Sequence, residues 1–272
     1  MLPDHAETRA FAGGKMLAAK DDGVGLITFN QPEKRNAMSM EMWTGLGEIL
    51  DEFAEDSGVS VVIMTGAGNK AFVSGADISQ FEKNRNSANA QAEYDRATGV
   101  GRDKFHAFKK PVIARIRGFC MGGGLAIAMA TDLRIASSDS QFGIPAARLS
   151  IAYAPDAVKR LIDLVGPAHA RMILYTAKRI DAAEAERIGL INKMTSEEGL
   201  NDVVLDIART IADNAPLSVA ASKLTINEMI KDESQRDMDA IKKLGEICFN
   251  SADYKEGRTA FMEKRPPRFT GR

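Results

Sequence analysis

Two glycine-bearing turns are where this sequence could do chemistry. The first is Ala71-Phe72-Val73-Ser74-Gly75-Ala76-Asp77-Ile78, which follows an apolar run. The second is Gly118-Phe119-Cys120-Met121-Gly122-Gly123-Gly124-Leu125-Ala126, which follows a strand pattern and opens a helix. A strand–glycine–helix junction leaves backbone N–H groups without intrahelical partners at the positive end of the helix dipole. Such groups attract negative charge, and glycines let a ligand come close to the backbone. The second turn fits neither the dinucleotide fingerprint nor the phosphate-loop pattern, since no Lys-Ser/Thr pair follows it. Tight helix–strand packing is the other use of the same glycines.

Side-chain chemistry is sparse by comparison. There are three histidines, His5, His106 and His169, and two distant cysteines, Cys120 and Cys248. No Cys or His pair has zinc-ligand spacing, so no metal site is expected. A disulfide framework is excluded and a reducing, cytoplasmic compartment is the natural reading. Ser74 has no His–Asp partners in the sequence pattern, so no nucleophilic triad is supported. His106 and His169 read as structural, and Met38, Met40 and Met42 as flexible core packing. Arg115 and Arg117 share one strand face and call for ion-pair partners from other elements or from another subunit.

The net charge of −1 over 272 residues gives no field for nucleic acid or an anionic membrane. The charge is uneven, however. Residues 255–272 hold six basic side chains (Lys255, Arg258, Lys264, Arg265, Arg268, Arg272) against two acidic ones, a local +4 suited to phosphates.

Several segments, in order along nearly the whole chain, resemble the enoyl-CoA hydratase/isomerase, or crotonase, superfamily. They are Asn30-Gln31-Pro32-Glu33-Lys34-Arg35-Asn36-Ala37, Phe72 to Ile78, Lys110-Pro111-Val112 to Gly118, and Gly122-Gly123-Gly124. Asp132-Leu133-Arg134-Ile135-Ala136, Gln141-Phe142-Gly143, Ala182-Ala183-Glu184-Ala185 with Gly189-Leu190-Ile191, and Lys255-Glu256-Gly257 to Arg265 complete the set. The resemblance implies an α/β fold, a crotonase-like spiral of ββα units with a C-terminal helical trimerisation region. It implies an acyl-CoA thioester substrate, no separate cofactor, and a homotrimer or dimer of trimers. It also implies an oxyanion hole made by the backbone N–H groups of Ala76 and Gly123. Forming an enolate next to a thioester puts negative charge on its oxygen, and each preset donor is worth ~10²–10³ in rate. By the same resemblance Arg35, Ala37, Ser74, Asp77, Ile78 and Gly122 line the CoA and substrate path. Phe249, Phe261 and Lys264 match positions near the CoA nucleotide.

The chain departs from the family at two positions. Hydratases of the family carry glutamates where this chain has Ala126 and Ala146. Hydration needs a general base for water and a general acid for the α-carbon, each contributing ~10²–10⁴. Alanine supplies neither, so the standard acid/base pair is missing. Tyr153 falls where a related acyl-CoA decarboxylase has a pocket tyrosine, and loss of CO₂ also makes a thioester enolate. Arg148, two residues after Ala146, is placed to receive a substrate carboxylate. Asp156 lies two residues off the nucleophile of a related dehalogenase, where Ala154 stands instead, and reads as serving a helix first turn.

These residues need elements to hold them. Met16–Lys20 and Val24–Asn30 predict a hairpin around Asp21-Asp22-Gly23. Ser39 caps a helix through Glu55. Val61–Met64 is a strand buried on both faces. Asn84–Ala92 reads as a loop or helix entry, followed by a helix to Lys109. The strands Val112–Arg117 and Asp132–Ser137 flank a helix Gly124–Ala130. Pro155–Val165, Ala168–Ala177 and Asp181–Ile188 are helices, and Leu190–Met194 a last strand. Residues 199–213, 216–231, 233–248 and 252–263 are helical in pattern. Alternation implies parallel strands with right-handed crossovers. The expected division is a spiral core over residues 1–200 and a helical oligomerisation region over 201–272. Residues 1–14 read as a loose leader without the apolar region of a secretory signal. The longest apolar stretch, Phe119–Thr131, is too short to span a bilayer.

Overall fold

The computed structural model describes residues 7–77 and 88–272. Strands β1 (Arg9–Phe11), β2 (Met16–Asp21) and β3 (Gly23–Phe29) open the chain. Asp22 and Gly23 both adopt positive φ, 44° and 78°, as a two-residue hairpin turn requires. Helix α1 (Met40–Glu55) follows, and the Ser39 side chain accepts from the Met42 N–H at its start. Its Met42, Leu46, Ile49, Leu50 and Phe53 all turn inward.

From there the chain visits two sheets in alternation. Strand β4 (Val59–Gly66) goes to the first and β5 (Ala71–Val73) to the second. Helix α2 (Ala88–Ala107) returns the chain to β6 (Val112–Ile116) in the first sheet and β7 (Phe119–Met121) in the second. Helix α3 (Gly123–Ala130) leads to β8 (Leu133–Ser137) and β9 (Gln141–Gly143) in the same way. Next come α4 (Pro155–Thr176), β10 (Ile180–Asp181), α5 (Ala182–Arg187) and β11 (Lys193–Thr195). The larger sheet runs β1-β2-β3-β4-β6-β8-β11, parallel from β3 onward, and the smaller β10-β9-β7-β5. Each turn of the chain thus adds one strand to each sheet, which is a spiral of ββα units.

Strand β4 explains why the larger sheet is covered on both sides. Val61 and Ile63 face Leu200, Val204 and Ala208 of α6 (Leu200–Ala212). Val62 and Met64, one residue out of phase, join the main core with Phe72, Phe142 and α1. Burying each such valine or isoleucine is worth ~1.5–3 kcal/mol relative to exposure. Residue 200 is therefore the first of a helix that closes the outer face of the sheet. Beyond it lie α7 (Pro216–Met229), α8 (Met238–Asn250) and α9 (Ala252–Glu263). Among the described residues, no helix is long and apolar enough to cross a membrane.

Several expectations need correction. Arg9–Phe11, assigned above to a loose leader, pairs with β2 and is anchored by an Arg9–Glu52 ion pair at 2.6 Å. Strands β5, β7 and β9 have three residues each, too short to show any period. The last strand is Lys193–Thr195, because Leu190 and Ile191 bury their side chains in an irregular turn that Arg134 holds by donating to the Leu190 carbonyl at 2.9 Å. Helix α8 starts at Met238 because Asp237 caps it, accepting from Ala240 N–H at 2.8 Å. Arg117 pairs with Glu197, whereas Arg115 donates to neutral oxygens, Asn201 Oδ1 at 2.8 Å and Thr65 Oγ1 at 3.1 Å. The two helices expected over 155–177 do form, end to end, separated by Gly166, whose φ of 72° and ψ of 165° are not helical, just before Pro167.

Candidate active site

The first glycine turn is built against the loop before α1. Asn36 is fully buried at φ 56° and works as a clasp. Its Nδ2 donates to the carbonyls of Ala71 (2.8 Å) and Ala67 (3.0 Å), and its Oδ1 accepts from Gln31 N–H at 3.0 Å. The loop then runs beside Ser74–Asp77. Ser74 N–H donates to Arg35 C=O at 3.1 Å, Met38 N–H to Gly75 C=O at 2.8 Å, and Asp77 N–H to Met38 C=O at 2.9 Å. Lys34 Nζ pairs with the buried Asp77 carboxylate at 2.8 Å, which raises the pKa of Lys34 chiefly through that hydrogen bond. Met38 thus uses the groups on either side of Ala76, and Ala76 N–H has no hydrogen-bond partner among the described residues.

The second turn arises where β7 enters α3. Gly122 has φ 51° and ψ −115°, a conformation other residues avoid. A Cβ on Gly124 would lie 2.0 Å from the Val73 carbonyl oxygen, so this glycine lets α3 press against β5. Gly122 N–H donates to Gly143 C=O at 2.8 Å. The Gly122 carbonyl accepts from Ala126 N–H at 3.0 Å and from the Tyr153 hydroxyl at 3.0 Å. Gly123 is the first residue of the helix, and its N–H has no partner among the described residues. The point where a Cβ of Gly123 would stand is 3.7 Å from Ala76 N. Two unpaired N–H groups from different turns are therefore neighbours, an arrangement suited to an oxygen that gains negative charge.

Around this pair the structure gathers Arg35, Ala37, Ser74 and Asp77 along one strip, with Gly122 beside it. Arg35 is exposed and lies over the Phe119 ring at 5.3 Å, with Arg179 over the same ring at 5.0 Å. Ile78 lies outside the described residues. Ala126 is one turn along α3 from Gly122 and is half-buried, as is Ala146 in the short turn Pro145–Arg148. Arg148 is exposed, without an ion-pair partner among the described residues. Phe249, Phe261 and Lys264 are elsewhere. The two phenylalanines line an apolar cleft of about 500 Å³ with Tyr254, Arg258 and Phe269, between α8, α9 and the chain end. Lys264 ends α9 in the left-handed conformation.

Other titratable groups are structural. Burial pushes the Cys120 thiol well up, so it stays protonated and is no nucleophile. Arg134 is lowered to about 10 by burial and holds the backbone of the 131–134 turn and Leu190. His106 stacks on Phe105 and lies against Arg160. Among the described residues no cluster of three or more His, Cys, Asp or Glu could hold a metal ion. Asn36 is the site residue that sequence reasoning passed over. Its presence inside the Arg35-Asn36-Ala37 segment was the only signal, and the two carbonyls it clasps lie 31 and 35 residues away.

Fold and site together define a two-sheet ββα spiral in which backbone N–H groups from two glycine turns meet. The chain belongs to the enoyl-CoA hydratase/isomerase family, whose sequence profile matches residues 19–272. It is 38% identical over 250 residues to a short-chain-enoyl-CoA hydratase of Clostridium acetobutylicum, covering 92% of this chain and 95% of that protein. It is 37% identical over 258 residues to a crotonyl-CoA hydratase of Syntrophomonas wolfei, covering 93% and 97%. The crystal structure of an enoyl-CoA hydratase/carnithine racemase from Magnetospirillum magneticum superposes with a TM-score of 0.90 at 32% identity, covering 95% of this chain and 96% of that one.

Proposed function

We propose that this protein is an enzyme that binds acyl-CoA thioesters and stabilises an enolate at the thioester oxygen with the N–H groups of Ala76 and Gly123. The observation that carries this reading is the adjacency of those two unpaired donors. Each such donor is worth ~10²–10³ in rate when it meets charge that develops in the transition state. Arg35, Ala37, Ser74, Asp77, Ile78 and Gly122 line the thioester path. Phe249, Phe261 and Lys264 take the CoA nucleotide from the helical extension, and the CoA of the substrate is the only cofactor involved. The extension joins subunits into a trimer or a dimer of trimers, consistent with exposed apolar side chains at Ile226, Ile230, Ile247 and Met262. Light scattering of the purified protein tests that assembly.

The reaction is nominally that of an enoyl-CoA hydratase or isomerase, as the names of the two relatives suggest. Ala126 and Ala146 stand against efficient hydration, because no carboxylate occupies either position. Crotonyl-CoA turnover, followed by absorbance, decides this, and a rate equal to the buffer blank at high enzyme would remove the hydratase claim. A second reading is favoured by Arg148, exposed and without an ion-pair partner among the described residues, and by alanine rather than a carboxylate at positions 126 and 146: decarboxylation or hydrolysis of a polar acyl-CoA. Malonyl-type esters should then lose CO₂, more slowly in Arg148→Ala. Tight acyl-CoA binding without conversion across a panel would instead mark a non-catalytic binding homologue. Failure to bind any CoA ester by calorimetry would sink every one of these readings.

A further inference from the structure

Gly122 and Gly123 share one peptide unit, so the Gly122 carbonyl and the Gly123 N–H point opposite ways from a single plane. Neither residue has a Cβ, and a peptide between two glycines meets the least steric resistance to turning over. Turned over, it would aim a carbonyl oxygen where a donor is needed and repel the developing anion. The carbonyl has two lone pairs to hold it by. Ala126 N–H takes one as the first helical bond, at 3.0 Å. The Tyr153 hydroxyl takes the other, also at 3.0 Å, from the stretch just before α4. The ring packs against the main core. Burial, then the neighbouring Cys120 and Asp156, push the phenol pKa up, so its proton stays in place.

Resting on the two-donor reading above, we propose that Tyr153 is a positioning residue. Its hydroxyl locks the Gly122–Gly123 peptide in the orientation that presents Gly123 N–H to the thioester oxygen. Donation into the carbonyl also polarises the amide and strengthens that N–H as a donor. The single phenolic proton is committed to Gly122, so Tyr153 acts through the backbone and not on the acyl group.

The test is the infrared carbonyl stretch of butyryl-CoA, isotope-labelled at the thioester carbon and bound to the full-length protein. Butyryl-CoA is saturated and is not consumed by hydration. The stretch should fall on binding to the parent protein, and Tyr153→Phe should recover half or more of that fall. Affinity for butyryl-CoA should stay within about twofold, since one indirect hydrogen bond is lost. A fluorinated tyrosine at position 153, with a more acidic phenol and nearly the same packing, should lower the stretch further. An identical band in the parent and in Tyr153→Phe overturns the proposal. Should Tyr153→Phe not fold, an unmoved band in the fluorinated protein overturns it equally. No fall in the parent itself would reject the donor pair, and Tyr153's role with it, a result distinct from the other two.

Discussion

Lys34 and Asp77 form an ion pair at 2.8 Å that ties the loop before α1 to the turn carrying Ala76. Asp77 is buried and Lys34 is half exposed, and two backbone hydrogen bonds through Met38 run beside the pair. Lys34→Met should therefore loosen this strip without unfolding the protein. Hydrogen exchange at the Met38 and Asp77 amides should quicken, butyryl-CoA affinity fall and the melting temperature drop, because the buried Asp77 carboxylate loses its lysine partner. Unchanged exchange at both amides would show that the pair does not clamp the turn.

The three consecutive glycines have separable duties. Gly124→Ala would drive a Cβ to 2.0 Å from the Val73 carbonyl oxygen, so α3 must lift from β5. Overpacking of this kind costs ~1–3 kcal/mol or more, readable as a lower denaturant midpoint. Gly123→Ala meets nothing closer than 3.7 Å and should leave the midpoint unchanged.

Gly123→Pro removes one donor at the first helical position, where proline is well tolerated. Turnover of whichever thioester the enzyme accepts should drop ~10²–10³ with little change in melting temperature. A rate within a few-fold of the parent would mean that the Gly123 N–H does not meet the transition state.

Introducing carboxylates at Ala126 and Ala146 tests the proposal that these two side chains limit hydration. Ala126→Glu combined with Ala146→Glu should raise crotonyl-CoA hydration by at least ~10² over the parent, the lower end for one well-placed acid or base. Equal rates in parent and double variant would place the chemical deficit elsewhere.

His106 supplies a pH dependence. Burial, then the Arg160 charge, lower its pKa below the ordinary 6.5, while Asp156 and Asp103 oppose them. The unfolded chain therefore binds a proton more readily than the folded one. Stability attributable to this residue is full above pH 6.5 and is lost as pH falls from there toward the lower folded value. His106→Gln should flatten the melting temperature across that window. The same slope in parent and variant would assign it to other groups.

Much of this molecule was legible from local chemistry. The Asp22-Gly23 hairpin, the Ser39 cap, the doubly buried β4 and the helical tail each follow from a few adjacent residues. So does the exposure of N–H groups at the start of α3, whereas Ala126 and Ala146 stood out only through the resemblance to the family. Strands β5, β7 and β9 were not legible, because three residues carry no period and their pairing is made entirely by distant neighbours. Whether Ala76 and Gly123 meet was also beyond local reading: their closeness depends on β5 and β7 lying side by side in the second sheet. Tyr153 shows the limit most sharply. Its match to the pocket tyrosine of a related decarboxylase suggested a side chain for the acyl group, and its position before α4 determined nothing more. Only the packing of the spiral turned the hydroxyl onto the Gly122 carbonyl, because a hydrogen bond is set by where two atoms lie in space and not by how far apart they lie along the chain.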